Sequence, residues 1–191
     1  MINYVKKNLD SISKLFINHV GMVIFSLVVF IAAEMIGKGV FYAMAVLAVL
    51  MYFSLIYTAM WEKGASDKLK IDGGREKKNI FHGLYFYLLA NCIIIFLALV
   101  SLCFAFFVTE EPSFANKVYG ITTIINHYIT GIYLPITRIS ALSSMPVVKS
   151  LVYLATVLPG CTVSFVSYVL GVSGCKCIFP EPKHDKNRRV R

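Results

Sequence analysis

Charged residues are scarce in this sequence. They make up 15% of its 191 residues, whereas 58% are hydrophobic, and the mean hydropathy is +0.71. A soluble globular domain usually has about 25% charged and about 45–50% apolar residues. Because so few charges cannot cover a water-exposed globule of this length, the composition excludes an ordinary soluble domain. It predicts an all-α, polytopic membrane protein instead.

Signatures of catalysis are missing as well. The sequence has no Gly-x-Ser-x-Gly, no His-Glu-x-x-His and no phosphate-binding glycine loop followed by Lys-Ser or Lys-Thr. Glu110 and Glu111 are adjacent, so on a helix their side chains would point in different directions and make a poor acid–base pair. We therefore expect a protein that is not an enzyme and needs no cofactor.

A disulfide framework is not expected, because the five cysteines are an odd number. Cys175 and Cys177, with His184 further along, provide soft ligands. They lack the second cysteine pair of a typical zinc site, so we expect no bound metal. The role of the two cysteines stays open at this point.

Four apolar runs have the length of about 20 residues that an α-helix needs to cross a bilayer. They cover about residues 15–36, 40–61, 80–108 and 150–172. The Gly37-Lys38-Gly39 sequence predicts a tight turn between the first two runs. Pro159 and Gly160 predict a kink in the middle of the fourth.

An amphipathic stripe precedes the first run. Apolar residues recur there at spacings of three and four, namely Ile2, Val5, Leu9, Ile12 and Phe16. This spacing predicts a short N-terminal helix that lies in the lipid headgroup layer.

Residues 118–137 allow two arrangements. One helical face carries isoleucines, and another carries Thr122, Asn126, Thr130 and Tyr133. An external amphipathic segment, on the membrane surface or packed against the spans, fits this pattern. A fifth span with a buried polar face is the alternative.

The positions of Lys and Arg favour four spans. With four spans, three basic residues before the first span, six between residues 62 and 78 and six in the tail share one side, 15 of the 19 in total. With five spans the division is 11 against 8. The positive-inside rule therefore predicts cytosolic N- and C-termini, with one transmembrane domain over residues 1–172 and a basic, flexible tail over residues 173–191.

Few polar residues lie in the apolar runs, and four of them form a candidate intramembrane polar site: Glu34, Asn91, Asn126 and His127. An ionised carboxylate in hydrocarbon is costly, so Glu34 is a candidate by default. The alternative for Glu34 is an interfacial pair with Lys38, four residues on. His19 and His82 are expected at one membrane level, where packing is favoured over a histidine pair that binds metal or moves protons.

The net charge of +9 does not predict nucleic-acid binding, because the segment from residue 62 to 78 mixes six basic with four acidic residues. Its cations are expected to contact anionic lipid or a partner; they are Lys68, Lys70, Arg75, Lys77 and Lys78. A face of small residues on the fourth span predicts close helix packing, within the chain or against a partner: Gly160, Ser164, Ser167 and Gly171.

The stretch with Trp61, Gly64, Asp67 and the run HGLYFYLLAN, which opens with His82 and Gly83, resembles small, uncharacterised four-span membrane proteins of Gram-positive anaerobes. In those proteins a W-x-x-G-x-x-D-like stretch ends the second span and a glycine opens the third. The resemblance covers about the central third of the chain. It implies the four-span topology and brings no activity with it.

Two functional hypotheses follow. The first is a non-catalytic integral protein of the cell membrane that acts by association, as an accessory subunit of a membrane assembly or as a homo-oligomer. The alternative is a transporter or channel component for an ion or small solute. The kinked fourth span, Glu34, Asn91 and the polar stripe at residues 122–133 would then line a pathway.

Overall fold

The structure is a computed structural model that describes residue 6, residues 8–75, residue 77, and residues 79–109, 113–134 and 145–175. These residues form helices and no strand. In chain order the helices are α1 (Leu9–Ile36), α2 (Lys38–Asp72), α3 (His82–Ala90), α4 (Cys92–Ala105), α5 (Phe114–Ile129), α6 (Pro146–Ala155) and α7 (Val157–Ser173). A 3₁₀ turn, Gly131–Tyr133, follows α5.

Three helical stretches are long and apolar enough to cross a membrane, namely α1, α2 and the pair α6–α7. The pair α3–α4 passes the same test only when it is taken as one bent span, so the described residues contain three or four such stretches. The all-helical prediction, with several helices of membrane-crossing length, is confirmed.

Helix α1 runs without a break from Leu9 to Ile36. The separate interfacial helix predicted before residue 16 is therefore wrong for the residues from Leu9 onward; residues 1–5 and 7 lie outside the described residues. Ile12 packs against the core and Leu15 is buried. Because these side chains find partners in the bundle, the first turns continue the long helix.

Helices α1 and α2 form an antiparallel hairpin. An ion pair of Lys14 and Glu62 lies at one end, and the rings of Phe30 and Phe41 pack at a tilt at the other. Gly37 alone separates the helices, at a φ of +148° that side chains disfavour. The turn is a single residue rather than the three predicted, since the two residues after Gly37 already belong to α2.

Helix α2 continues to Asp72, beyond the predicted end at Trp61. The predicted end of the second run at residue 61 is therefore too early, and the charged segment that follows is helical as far as Asp72. Tertiary packing is the reason, because Gly64 and Asp67 are buried against α7. We call residues 62–72 the α2 extension.

Helix α5 buries its polar side chains Thr122, Thr123 and Asn126, while Ile121 and Ile124 are each 59% exposed. This pattern is the reverse of a water-soluble surface helix and fits apolar surroundings. With 16 residues, α5 is not among the helices long enough to cross a membrane. The segment packs against the other helices, and its end enters the core through the 3₁₀ turn.

The third predicted span is not straight, because α3 and α4 meet at 66°. Asn91, which is 3% exposed, lies at the break. The backbone N–H and the side-chain Nδ2 of Asn91 both donate to the carbonyl of Tyr87, each at 3.0 Å. A side chain that competes for a helical carbonyl is a recognised local cause of a bend.

The fourth predicted span is interrupted one turn earlier than expected, at Thr156 between α6 and α7. Pro159 explains the shift. Its missing N–H would have bonded to the carbonyl of Ala155, and its ring crowds that same carbonyl. The kink prediction is right in kind and wrong in position.

Helix α7 packs along α2 and α3. Gly64 faces Gly171, and Lys68 lies against Gly174, so α7 runs parallel to α2. Gly83 and Tyr87 face progressively earlier residues of α7, so α3 runs antiparallel to both. The small-residue face of α7 is buried in these contacts, which confirms packing within the chain: Gly160, Ser164, Ser167 and Gly171.

Candidate functional site

The breaks in α3–α4 and α6–α7 lie at the same level of the bundle. The Ser164 hydroxyl donates to the Gly83 carbonyl at 2.6 Å, and the Tyr87 hydroxyl occupies the space where a Cβ on Gly160 would lie. Four residues forward on α3 thus correspond to four residues back on α7. Continued by one more turn, this antiparallel register sets Asn91 level with Thr156.

The end of α5 reaches the same level. Asn126 Nδ2 donates to the carbonyl of Leu97 at 3.2 Å, and Ser101 lies 3.5 Å from Thr123, oxygen to oxygen. Helices α4 and α5 are therefore antiparallel. One turn beyond Asn126, this register places Thr130 opposite a residue of α4 that is two or three positions after Asn91. We call Asn91, Thr130 and Thr156 the break centre.

All three residues of the break centre are buried, at 3%, 2% and 7% exposure. Each one donates a side-chain hydrogen bond back to its own helix. The acceptors are the carbonyls of Tyr87, Asn126 and Tyr153, at 3.0, 2.7 and 2.7 Å. Each threonine hydroxyl has used its one proton and can still accept, whereas the Asn91 amide keeps its oxygen and a second N–H. The break centre therefore offers three side-chain oxygen acceptors and one further amide donor.

Asn126, one turn before Thr130, adds a further acceptor. It is 0% exposed, and its Oδ1 has no hydrogen-bond partner among the described residues. The atom that faces the Leu97 carbonyl must be the amide nitrogen, since a carbonyl only accepts. The free atom is thus an oxygen. An unsatisfied buried acceptor costs about 1–3 kcal/mol, so its presence calls for an explanation.

A buried hydrogen-bonded chain adjoins the end of α5. His19 Nε2 donates to the carbonyl of Ile129 at 3.2 Å. In the neutral ring Nδ1 then accepts from the Tyr52 hydroxyl at 2.8 Å, which leaves the Tyr87 hydroxyl to donate to the Tyr52 oxygen at 3.2 Å. The chain joins α1, α2, α3 and α5. Tyr133, whose ring packs edge-on against Tyr52, has a buried hydroxyl without a partner among the described residues.

Hydroxyl groups link α4, α5 and α6 one turn away from Asn126. Ser101 Oγ lies 3.0 Å from Ser150 Oγ and 3.5 Å from Thr123 Oγ1. Both serines are 0% exposed. The buried hydroxyl of Tyr153, on the same helix as Ser150, has no partner in the described part of the chain. A line of buried oxygens thus follows α5 to the break centre.

A second polar cluster lies at the end of the bundle that carries Lys14, Trp61 and Cys175, which we call the basic end. Asp67 is 2% exposed there, although it sits among charged residues of the α2 extension. Its Oδ1 accepts from Lys63 at 2.9 Å and from Lys70 at 3.2 Å. Burial raises the pKa of Asp67, but the hydrogen bonds and charges of Lys63 and Lys70 outweigh it, so the pKa lies below its ordinary value.

The same carboxylate ties α2 to α7 and α3. The Tyr168 hydroxyl donates to Asp67 Oδ2 at 3.1 Å, and His82 Nδ1 lies 3.2 Å from the Tyr168 oxygen. Because Tyr168 has one proton and gives it to the carboxylate, His82 donates through Nδ1. We call Asp67, Tyr168, His82, Lys63 and Lys70 the Asp67 lock.

The four positions of the resemblance all contact α7. The Trp61 indole N–H donates to the Cys175 carbonyl at 3.0 Å, and Asp67 binds Tyr168. A Cβ on Gly64 would clash with the Tyr168 carbonyl, and one on Gly83 would come within 2.6 Å of the Ser164 carbonyl. The stretch is therefore a docking sequence for the last helix. No family model, curated protein or solved structure matches this chain.

The predicted intramembrane site is only partly assembled. Asn91 and Asn126 are buried near the breaks, whereas Glu34 is exposed in the last turn of α1 and does not belong to the site. His127 is half-buried, with its ring edge-on to Tyr128. Gly37 ends α1, so Glu34 and Lys38 lie on different helices, on either side of a one-residue break.

The two histidines, for which packing was favoured over a pair, have separate partners. His19 binds Tyr52 and Ile129, whereas His82 binds Tyr168. Among the described residues, no group of three His, Cys, Asp or Glu side chains is placed to hold a metal ion. Cys175 is exposed with a free thiol, and Cys177 lies outside the described residues.

The cations predicted to contact lipid or a partner differ in whether they already contact other residues or are exposed. Lys70 is bound to Asp67, and Lys68 lies against the C-terminal end of α7 at Gly174. Arg75 and Lys77 are exposed. Lys78 lies outside the described residues.

Nothing in the sequence indicated a role for Tyr52, Tyr87, Tyr168 and Thr156. Tyrosines inside apolar runs look like ordinary core residues, and their hydroxyl partners lie on other helices. The one available signal is that each hydroxyl in an apolar run needs a partner when it is buried.

Proposed function

We propose that the protein is a component of a membrane transport system for an ion or a small solute, and that the break centre is its binding site. The observation that carries this proposal is the meeting of three helix breaks at one level of the bundle. In lipid, irregular backbone is costly unless it is buried in protein or lines a water-filled or ligand-filled space. Transporters use such discontinuous helices to build their substrate and ion sites.

The remaining geometry fits this role. Asn126 has a free acceptor, and the His19–Tyr52–Tyr87 chain adjoins it at the end of α5. Polar groups buried in a membrane domain are functional candidates by default. Four spans are few for a complete carrier, so the proposal includes a homo-oligomer or a membrane-protein partner. The positive-inside rule orients the basic end and both termini toward the cytosol of the cell.

The test is flux into vesicles that contain the purified chain, over a panel of alkali cations, protons, small anions and neutral solutes. We expect saturable flux of one class, and a loss of at least tenfold in Asn126→Leu. The matched pair Thr156→Val and Thr162→Val sharpens the test. Both threonines donate to the carbonyl three residues earlier at 2.7 Å, but Thr156 is buried in the break centre and Thr162 is exposed.

Thr156→Val should impair flux, whereas Thr162→Val should leave it unchanged. Absence of flux for every class, in vesicles shown to contain folded protein, would remove this proposal.

A second candidate is association, through the basic end, with anionic lipids or a membrane-protein partner. The observation that favours it is the α2 extension, which is held in place by the Asp67 lock and carries a 76% exposed Leu69. Among the predicted contact cations that the structure describes, Arg75 and Lys77 are exposed, so they are the proposed contacts with anionic headgroups.

Purification in mild detergent followed by size and mass analysis tests this candidate. We expect an oligomer or a co-purifying membrane protein that is lost in Leu69→Glu. Binding to vesicles with anionic lipid should weaken when Arg75 and Lys77 are replaced by Gln. A strict, partner-free monomer, with unchanged lipid binding in the double variant, contradicts association.

A further inference from the structure

The helices pack in two groups. Helices α1, α2, α3 and α7 contact one another along their lengths, and α4, α5 and α6 form the second group. The chain passes from α3 to α4 at Asn91 and from α6 to α7 at Thr156, so both breaks connect one group to the other. Residues at the ends of helices are where a hinge motion between packed groups is absorbed. The two breaks are therefore placed as hinges.

A third connection between the groups is made by side chains at the end of α5. His19 Nε2 donates to the Ile129 carbonyl at 3.2 Å. In the 3₁₀ turn that follows, a Cβ on Gly131 would come within 3.2 Å of a leucine of α1, and the Tyr133 ring packs edge-on against Tyr52. Over most of its length, α5 packs against α4. We call these contacts of the α5 end with α1 and α2 the His19 joint.

The His19 joint fits an uncharged imidazole. Nε2 carries the hydrogen, and Nδ1 accepts from the Tyr52 hydroxyl at 2.8 Å. A further proton can bind only at Nδ1, where it removes this bond and leaves the Tyr52 hydroxyl without its acceptor. The ring is 5% exposed, so the added charge would also lie away from water. Proton uptake therefore opposes the packed arrangement.

No anion is placed to balance a charged ring. The titratable side chains of the adjacent core cluster are uncharged at neutral pH; they are Tyr52 of α2, Tyr87 of α3, Tyr133 of the 3₁₀ turn and Cys161 of α7. On α1 itself, Lys14 is already paired with Glu62. The carbonyl end of α5 offers only a partial negative charge. Water is then the better environment for the protonated ring.

We propose that His19 is a proton-binding site and that its protonation opens the His19 joint, so that α4, α5 and α6 turn as one group about Asn91 and Thr156. The neutral ring holds the closed arrangement. On proton uptake Nδ1 gains the hydrogen, the bond from Tyr52 is lost, and the charged ring becomes hydrated as the end of α5 leaves it. The inference rests on the proposed function for its purpose, since it names the proton as the ion that moves the two groups around the solute site.

The experiment measures the distance between the two groups. The purified full-length chain in detergent, with its native cysteines replaced, carries one spin label at Ile24→Cys on α1 and one at Ile124→Cys on α5, both exposed positions. Pulsed electron paramagnetic resonance then gives the distances at pH 8 and pH 5. We expect a second, longer distance at pH 5. Because a hydrated imidazole has a pKa of about 6.5, the ratio of open to closed molecules should rise about thirtyfold when only the open state takes up the proton.

His19→Gln keeps an amide that can donate and accept but cannot take up the proton, so its ratio should not change with pH. His82→Gln is the matched control. His82 bonds to Tyr168 within the first group, so this variant should keep the full rise. If His19→Gln does not fold, nuclear magnetic resonance of ring-labelled histidine carries the test, with the His19 signal assigned by elimination in His82→Gln, His127→Gln and His184→Gln. The ring should be neutral in closed molecules and charged in open ones.

One unchanged distance at both pH values overturns the proton-operated joint, as does an equal rise in wild type and His19→Gln. A His19 ring that stays neutral in both populations has the same consequence. A distance that depends on pH, in a protein that gives no flux for any solute, removes transport and leaves the joint. Flux together with a distance that does not depend on pH removes the joint alone.

Discussion

At the scale of single residues, Asp67 shows how a charge is kept inside a largely apolar protein. Its carboxylate is almost fully buried but receives three donors, from Lys63, Lys70 and Tyr168. A buried charge that is paired and hydrogen-bonded is tolerated, whereas removal of one partner leaves the others uncompensated. The carboxylate should therefore be important for stability.

We expect Asp67→Asn to lower the free energy of unfolding by about 2–4 kcal/mol at neutral pH, since both lysines lose their counter-ion. The pKa of Asp67 is lowered in the folded protein, so its contribution is present above the ordinary carboxyl pKa of 3.8 and is lost as the pH falls through the folded value. Denaturant unfolding in detergent should show a constant difference between wild type and variant from pH 8 to 5. A difference that disappears already near pH 6 contradicts this account.

Residue types were a good guide to burial but a poor guide to partners. The sequence singled out Asn91 and Asn126, which are indeed buried, and also Glu34, which is exposed at the end of α1. The difference is one of helix face. Ala33, in the same last turn before Gly37, is buried in a core cluster, whereas Glu34 lies on the exposed side of the helix. No local pattern could show that Tyr52 would bind His19, 33 residues away.

At the scale of helices, the crossing of α2 and α7 depends on two glycines. Gly64 and Gly171 bring the two backbones so close that a Cβ on either would clash with a carbonyl of the other helix. Close approach of this kind is the role of small residues between membrane helices.

Gly64→Ala should therefore destabilise the protein by about 1–3 kcal/mol, because the overpacked helices must move apart. Gly120→Ala is the matched control. Gly120 also lies inside a helix, but nothing is within 4 Å of the place its Cβ would take, so we expect a gain of about 0.5–1 kcal/mol. Equal effects of the two substitutions on unfolding would contradict the proposed crossing.

The break between α6 and α7 depends on Pro159. Pro159→Ala restores an N–H that can bond to the Ala155 carbonyl, so we expect a more continuous helix and a gain of about 1–3 kcal/mol in stability. The same change removes a free acceptor from the break centre, so flux should decrease. If Pro159→Ala were more stable and gave the same flux as wild type, Pro159 would have no role in the proposed binding site.

Helix ends were the least predictable feature of the elements. Trp61 looked like the end of a span because tryptophan favours the membrane interface, and Trp61 does lie at the basic end. The helix continues beyond it because Asp67 and Gly64 have partners on α7, a helix that begins about 90 residues later in the chain. Contacts at such a separation leave no mark in the local pattern of charge and hydropathy.

At the scale of the whole molecule, the contacts bring distant parts of the chain to one end of the bundle. Lys14 meets Glu62, and Trp61 meets Cys175, so these residues share the basic end. Thr109 follows α4, which leads away from that end. From the count of lysines and arginines, we propose that the basic end faces the cytosol.

A membrane-impermeant maleimide should therefore label Thr109→Cys in intact cells, in a background with the other cysteines replaced. Gly74→Cys and the native Cys175 should react only after the membrane is permeabilised. Labelling of Thr109→Cys and Gly74→Cys from the same side of the membrane contradicts the four-span arrangement. Labelling of Cys175 in intact cells would reverse the proposed orientation.

The composition, with 58% hydrophobic residues, and the lengths of the apolar runs were sufficient to predict an all-helical chain with several helices long enough to cross a membrane. The internal arrangement was not predictable. The breaks at Asn91 and Thr156 follow from which helices pack together, and the role of the polar face of α5 depends on where that helix ends.

The contact between Trp61 and Cys175 also supplies a built-in optical reporter. Trp61 is the only tryptophan of the chain, and its indole N–H is bonded to the residue that follows α7. Its fluorescence emission therefore reports a single event, the packing of the C-terminal end of α7 against α2. An emission shift during refolding, or on addition of a ligand, can be assigned to that contact without any introduced label.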